Sequence, residues 1–196
     1  MLAQTLNARV TAIDIHQPYL DQLSETASRL GLSELVTVRK LSMAKMKFKP
    51  GSFDLIWAEG SAYFLGIRRS LVTWLPLLSE QGQMAFTELC WLTGDRPDEA
   101  VAYWAHAYPE MTAAEAHLST ARDVGYTDCD HWVLPPDDWW DEYLTPLETR
   151  MQLLSEEAVK DKVLSGLIQD SRQAIDLYRS YPDCVGYVFY TARKAP

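Results

Sequence analysis

The chain has 196 residues, 47% hydrophobic and 23% charged, with a formal net charge of −9 from 18 Lys and Arg against 27 Asp and Glu. This is the composition of an ordinary globular domain with room for a real core. It excludes a helical membrane span, because no apolar run approaches about 20 residues. It also argues against nucleic acid, since Arg68–Arg69 and the alternating Lys45, Lys47 and Lys49 are the only basic clusters.

No secretory pattern is visible, so a cytoplasmic location is expected. Cys90, Cys129 and Cys184 are odd in number, far apart and set in or beside apolar runs, which predicts buried thiols and no disulfide framework. The histidines, His16, His106, His117 and His131, show no i,i+4 pairing, and no metal site is expected.

Met1–Asn7 reads as the tail of a helix and Val10–Ile15 as a buried strand closing on an acid, Asp14. Pro18 opens a helix carrying Leu20, Leu23, Ala27 and Leu30 at helical spacing, and Gly31 stops it. Val36–Leu41 is the next strand, Pro50–Ser52 a turn, and Phe53–Trp57 a third, strongly apolar strand. A helix over Gly66–Leu78 is shortened or bent by Pro76. Gly82 precedes a fourth strand, Gln83–Leu89. Strand and helix alternate throughout this half, which predicts an α/β fold with parallel crossover units on both faces of a sheet.

The second half differs. A short helix starts at Pro97 and contains Val101 and Trp104. Thr112 to Glu115 reads as a capping box for a helix ending at Gly125. Thr127–Leu134 and Cys184–Arg193 read as strands, with a long insertion between them. Ser155 is its expected cap, with Glu156 and Glu157 in the first turn and an apolar face of Val163, Leu167, Ile175 and Tyr178. Residues 137–181 are therefore expected to be a helical cover over one end of the sheet, within a single domain of 1–196.

This order of pieces resembles the class I methyltransferases that use S-adenosylmethionine. The matching landmarks are Val10–Asp14, Ser42–Met43, Gly51 to Gly60, Met84–Glu88 and Gly186–Tyr190. Ala58–Gly66, Arg96–Pro97, Ala107–Pro109 and Tyr187–Tyr190 are similar to a bacterial small-molecule subgroup. The resemblance implies a Rossmann-like sheet with an antiparallel last strand, S-adenosylmethionine as cofactor and a small-molecule acceptor. Asp14 matches the acid that accepts hydrogen bonds from both ribose hydroxyls, and Ile15 packs on adenine. Without a ligand, Asp14 would simply start the turn before the Pro18 helix.

Ser42 and Met43 match the pair at the adenine edge, although many relatives carry an acid at the position of Ser42; an ordinary loop is the other reading. Gly60 matches the point where the backbone approaches the methionine end, where a side chain would block access. Glu59 either binds the cofactor amine, orients substrate or is a solvated carboxylate. Methyl transfer needs positioning more than a base, so no catalytic residue is assigned.

The candidates for the acceptor pocket are Tyr63, Trp91, Trp104, Tyr108, Trp139, Trp140 and Tyr143, each of which core packing would also explain. His131 is a base or a satisfied strand residue. Asp137, Asp138, Asp141 and Glu142 attract a cationic acceptor or form a solvated face.

One departure stands out. The family places a strand and a Gly-x-Gly-type turn before the helix ending at Asn7, with that strand between those of Asp14 and Trp57. An N-terminally truncated form is the expected cause. The neighbouring strands then either pair directly or expose an edge for a second chain, as in a homodimer. Two other functions remain open: a non-catalytic remnant or interaction protein keeping the fold, and an NAD-dependent oxidoreductase.

Overall fold

The computed structural model describes residues 2–196, in two compact units that divide between Lys49 and Pro50. The smaller unit begins with α1 (Leu2–Leu6). A parallel pair follows, β1 (Val10–Asp14) and β2 (Val36–Lys40), in register from Val10 opposite Val36 to Asp14 opposite Lys40. The crossover is α2 (Gln17–Arg29), which has Pro18 in its first turn and buries Leu20 and Ala27. Leu23 and Leu30 lie on its open side, 37% and 52% exposed. Gly31 ends it at φ +70°, and the Leu32 amide bonds back to the Ala27 carbonyl at 2.8 Å. β1 is half-exposed and not the buried strand expected, because a two-stranded sheet gives it a single ladder.

The larger unit holds a four-stranded sheet in the order β3 (Phe53–Ala58), β4 (Leu78–Trp91), β6 (Val185–Lys194), β5 (Tyr126–Val133). β3 and β4 are parallel, and β6 runs antiparallel to both of its neighbours. Among the described residues β1 is laddered only to β2 and β3 only to β4.

β4 starts earlier than its apolar run suggests. Leu78 pairs with Phe53 before a register shift, and Gly82 lets the chain through a tight spot. A Cβ at Gly82 would stand 3.0 Å from Leu78 Cβ and 3.1 Å from the Phe53 carbonyl oxygen. α3 (Ile67–Trp74) gives way to a 3-10 turn at Pro76, as expected.

α4 (Asp98–Ala107) and α5 (Ala114–Val124) follow β4. The expected capping box at Thr112 is absent: Ala113 precedes α5 without a side-chain cap. The Thr112 carbonyl accepts the Trp91 amide at 3.0 Å instead, so this segment is held as an extension of the sheet.

The insertion comprises α6 (Pro136–Trp139), a π-helical turn over Trp140–Leu144, α7 (Thr145–Leu153), α8 (Ser155–Ala158) and α9 (Lys162–Ser180). Ser155 caps nothing, because its hydroxyl donates to the Gln152 carbonyl at 2.7 Å. The working cap is Asp161, whose Oδ1 accepts the amides of Val163 and Leu164 at 2.9 and 3.1 Å. Val163 and Leu167 point outward, 74% and 60% exposed. The buried face of α9 is instead Ile168, Ile175, Leu177 and Tyr178. With Leu144 and Met151 these pack on Leu89, Trp91 and Val185 of the sheet and on Trp104 of α4. Each large side chain so buried contributes about 1.5–3 kcal/mol, which holds these helices against this part of the larger unit.

Candidate functional site

At the carboxyl end of β3 the chain turns through Glu59 and Gly60, and here the larger unit opens into a cavity of about 580 Å³. Gly60 sits at φ +50°, a conformation other residues adopt with strain. Its amide donates to Thr87 Oγ1 at 2.9 Å, which ties the turn to β4. A Cβ there would meet nothing closer than the Tyr187 ring and hydroxyl at 3.8 Å, so the position is open. The Glu59 carboxylate is steadied by Trp57 Nε1, which donates to Oε1 at 2.6 Å.

Aromatic rings form much of the remaining wall. Trp139 stacks on Tyr143 with centroids 4.4 Å apart, and tilts over Tyr187 at 4.2 Å. The π-helical turn begins at Trp140, and both neighbours, Trp139 and Trp140, line the same cavity. Such widened turns are frequent at functional sites. Tyr63, Tyr178 and Phe189 complete the rings, and Asp138 adds a second carboxylate. Arg179 lies over Trp140 at 5.3 Å, held by a bidentate bond to Glu148 at 2.6 and 2.7 Å.

Of the residues singled out in the sequence, Glu59, Gly60, Tyr63, Trp139, Trp140 and Tyr143 meet in this cavity. Trp91, Trp104 and Tyr108 do not line it. The two tryptophans are each 7% exposed in the core, and Tyr108 packs beside them. His131 stacks on Tyr190 at 6.0 Å. Asp137, Asp141 and Glu142 are exposed and lie off the wall.

In the smaller unit, Asp14 stands at the carboxyl end of β1, and its Oδ1 accepts the His16 amide at 2.7 Å. Ile15 beside it is 69% exposed. Ser42 caps the 3-10 turn of Met43–Lys45 by accepting the Ala44 amide at 3.2 Å.

Glu88 was not among the candidates. It lies on β4, one residue after Thr87, and is 1% exposed. Burial pushes its carboxyl up to about 7 against the partial relief of the Leu89 amide, the Tyr108 hydroxyl and the Tyr63 amide. Its Oε2 completes no well-formed hydrogen bond among the described residues. Its charge in turn helps to raise the hydroxyl pKa of Tyr63 and Tyr187, both in the cavity wall, after burial itself. The signal was present in the sequence: an acid inside the apolar run Met84–Trp91 needs a reason to be buried.

The architecture is the Rossmann-like fold of the class I methyltransferases. Structures sharing it include a protein designated a sarcosine dimethylglycine methyltransferase from Galdieria sulphuraria, at 15% identity and a TM-score of 0.78 over 99% of this chain. The cyclase SpnF matches at 19% identity and 0.71 over 96%. A Haemonchus contortus phosphoethanolamine N-methyltransferase matches at 16% and 0.70 over 100%; it was solved with phosphomonomethylethanolamine and S-adenosylhomocysteine. This chain spans 72%, 66% and 45% of those three proteins. Residues 1–82 match the family model described as a methyltransferase domain. The chain thus shares the fold of the class I methyltransferases, and its first 82 residues match a methyltransferase domain.

Proposed function

We propose that this chain binds S-adenosylmethionine and transfers its methyl group to a small molecule held in the aromatic cavity. One observation carries the reading: the Glu59–Gly60 turn, at the carboxyl end of a parallel strand, faces an open cavity and not a packed core. Ligands of open α/β sheets bind outside the carboxyl ends of the strands.

The residues present fit the cofactor. Asp14 offers acceptors only, and Oδ1 is the oxygen already engaged, so Oδ2 remains for a ribose hydroxyl. Ile15 presents an exposed apolar face for adenine, with Ser42 and Met43 at its edge. Gly60 gives the methionine end close access to backbone.

The cofactor supplies a methyl group already activated on a sulfonium, so the protein's share is alignment of the acceptor and exclusion of water. The rings of Trp139, Tyr143 and Tyr187 serve both ends. On this reading 137–181 is the cover that closes over the acceptor.

Calorimetric titration with S-adenosylhomocysteine tests this, with Asp14→Ala as the control. Micromolar binding that is lost in the variant is the expected result, and a flat titration of the unaltered chain overturns it. A second reading has its own support. Asp14 and Ser42 each satisfy a local turn amide, as they would in a non-catalytic domain that kept only the fold. Sedimentation of the same sample reports whether a second copy pairs along the β1 edge.

A further inference from the structure

We infer that the cavity of the larger unit is selective for an organic cation, an alkylammonium head group, which makes the acceptor an amine or its methylated product. This rests on reading the cavity as the acceptor site. Three observations point to it. The Trp139 ring packs against both Tyr143 and Tyr187, with centroids 4.4 and 4.2 Å away, and all three line the cavity. Such faces carry negative charge density and attract a cation.

The second observation is the charge of the wall. Its only ionisable groups apart from tyrosine are the carboxyls of Glu59 and Asp138, with no Lys, Arg or His among the lining residues. Arg179, which lies over Trp140, is not in the wall and is already paired with Glu148. An anionic ligand would therefore lose its hydration and find no countercharge.

The third lies behind the wall. Glu88 is close enough to act electrostatically on Tyr63 and Tyr187, and among the described residues it forms no ion pair. A ligand cation gains from the two carboxyls of the wall, and from Glu88 in so far as it is ionised; a neutral ligand of the same shape gains from none.

Choline and its neutral isostere, with a tert-butyl group in place of the trimethylammonium, separate charge from shape. Both are titrated into the full chain, followed by tryptophan fluorescence and ligand-observed NMR. Choline should bind saturably and at least about fivefold tighter than the isostere, the scale expected of a desolvated cation on aromatic faces. Trp139→Leu should abolish that preference. Glu59→Gln, which keeps shape and fold, should reduce it.

Equal or tighter binding of the isostere, or no saturable choline binding, overturns the inference. The S-adenosylhomocysteine titration is read separately. A cation preference without cofactor binding leaves the cation site standing and removes the methyl-transfer reading. Cofactor binding without a cation preference does the reverse.

Discussion

Glu88→Gln should change how the stability of this protein depends on pH. The Glu88 carboxyl rises from 4.5 to about 7 on folding, chiefly through burial. At about 1.4 kcal/mol per pH unit, the ionised form is held in the fold at a cost of about 3 kcal/mol. Between pH 4.5 and about 7 the folded chain binds more protons at this site than the unfolded chain. Stability therefore falls as pH rises through that window and is level above it.

His117 does the opposite. It is 4% exposed, and burial lowers its imidazole from 6.5 to about 4. The unfolded chain takes up the proton first, so stability is lost as pH falls from 6.5 toward 4. In the unaltered protein the two slopes oppose each other in the shared window. Glu88→Gln removes one of them. Urea denaturation at about pH 8 should show the variant more stable by about 2–3 kcal/mol relative to the difference at about pH 5. The variant alone should then weaken toward acid along the slope of His117. Parallel pH profiles for the two proteins would refute the reasoning.

Gly82→Ala should cost roughly 1–3 kcal/mol in the same denaturation assay, since the new methyl would press on backbone atoms of β3 and β4. Gly186→Ala should cost less, because its 2.8 Å contact is with the movable Leu92 Cδ1. Asp161→Ala should lower stability by about 1 kcal/mol through loss of the α9 cap. In thiol labelling, Cys90 should react only after unfolding: it is fully buried, and burial pushes its thiol up to about 12. Rapid labelling of Cys90 in the native chain would contradict its placement against Tyr190.

Several strands were legible because they are short runs rich in apolar residues close to a Gly, Pro or acid. Phe53–Ala58 and Val185–Lys194 show this best. Caps were less legible. Thr112 and Ser155 have the right residue type, yet a sheet amide claims the Thr112 carbonyl and the Ser155 hydroxyl turns back on Gln152. The face of α9 held in part: Ile175 and Tyr178 are buried as expected, whereas Val163 and Leu167 continue the apolar pattern into the first turns and stay exposed. A periodic pattern specifies a stripe, but tertiary neighbours decide how much of it is covered.

The site divides along the same line. Glu59 and Gly60 were readable from their place after a strand, a local feature. The aromatic wall was readable only in part: Tyr63, Trp139, Trp140 and Tyr143 were singled out and line it, but so were Trp91, Trp104 and Tyr108, because tryptophans of core and cavity look alike in sequence. What separates them is register. β6 runs antiparallel between β4 and β5, which puts Phe189 opposite Thr87 and Tyr187 opposite Leu89, on the face where Trp139 arrives from the cover. The intervening Val188 stands opposite Glu88. A one-residue slip of β6 would exchange the two faces, removing the rings from the cavity and setting them against the buried carboxyl. The make-up of the cavity wall thus depends on the pairing of the last strand, which no local motif encodes.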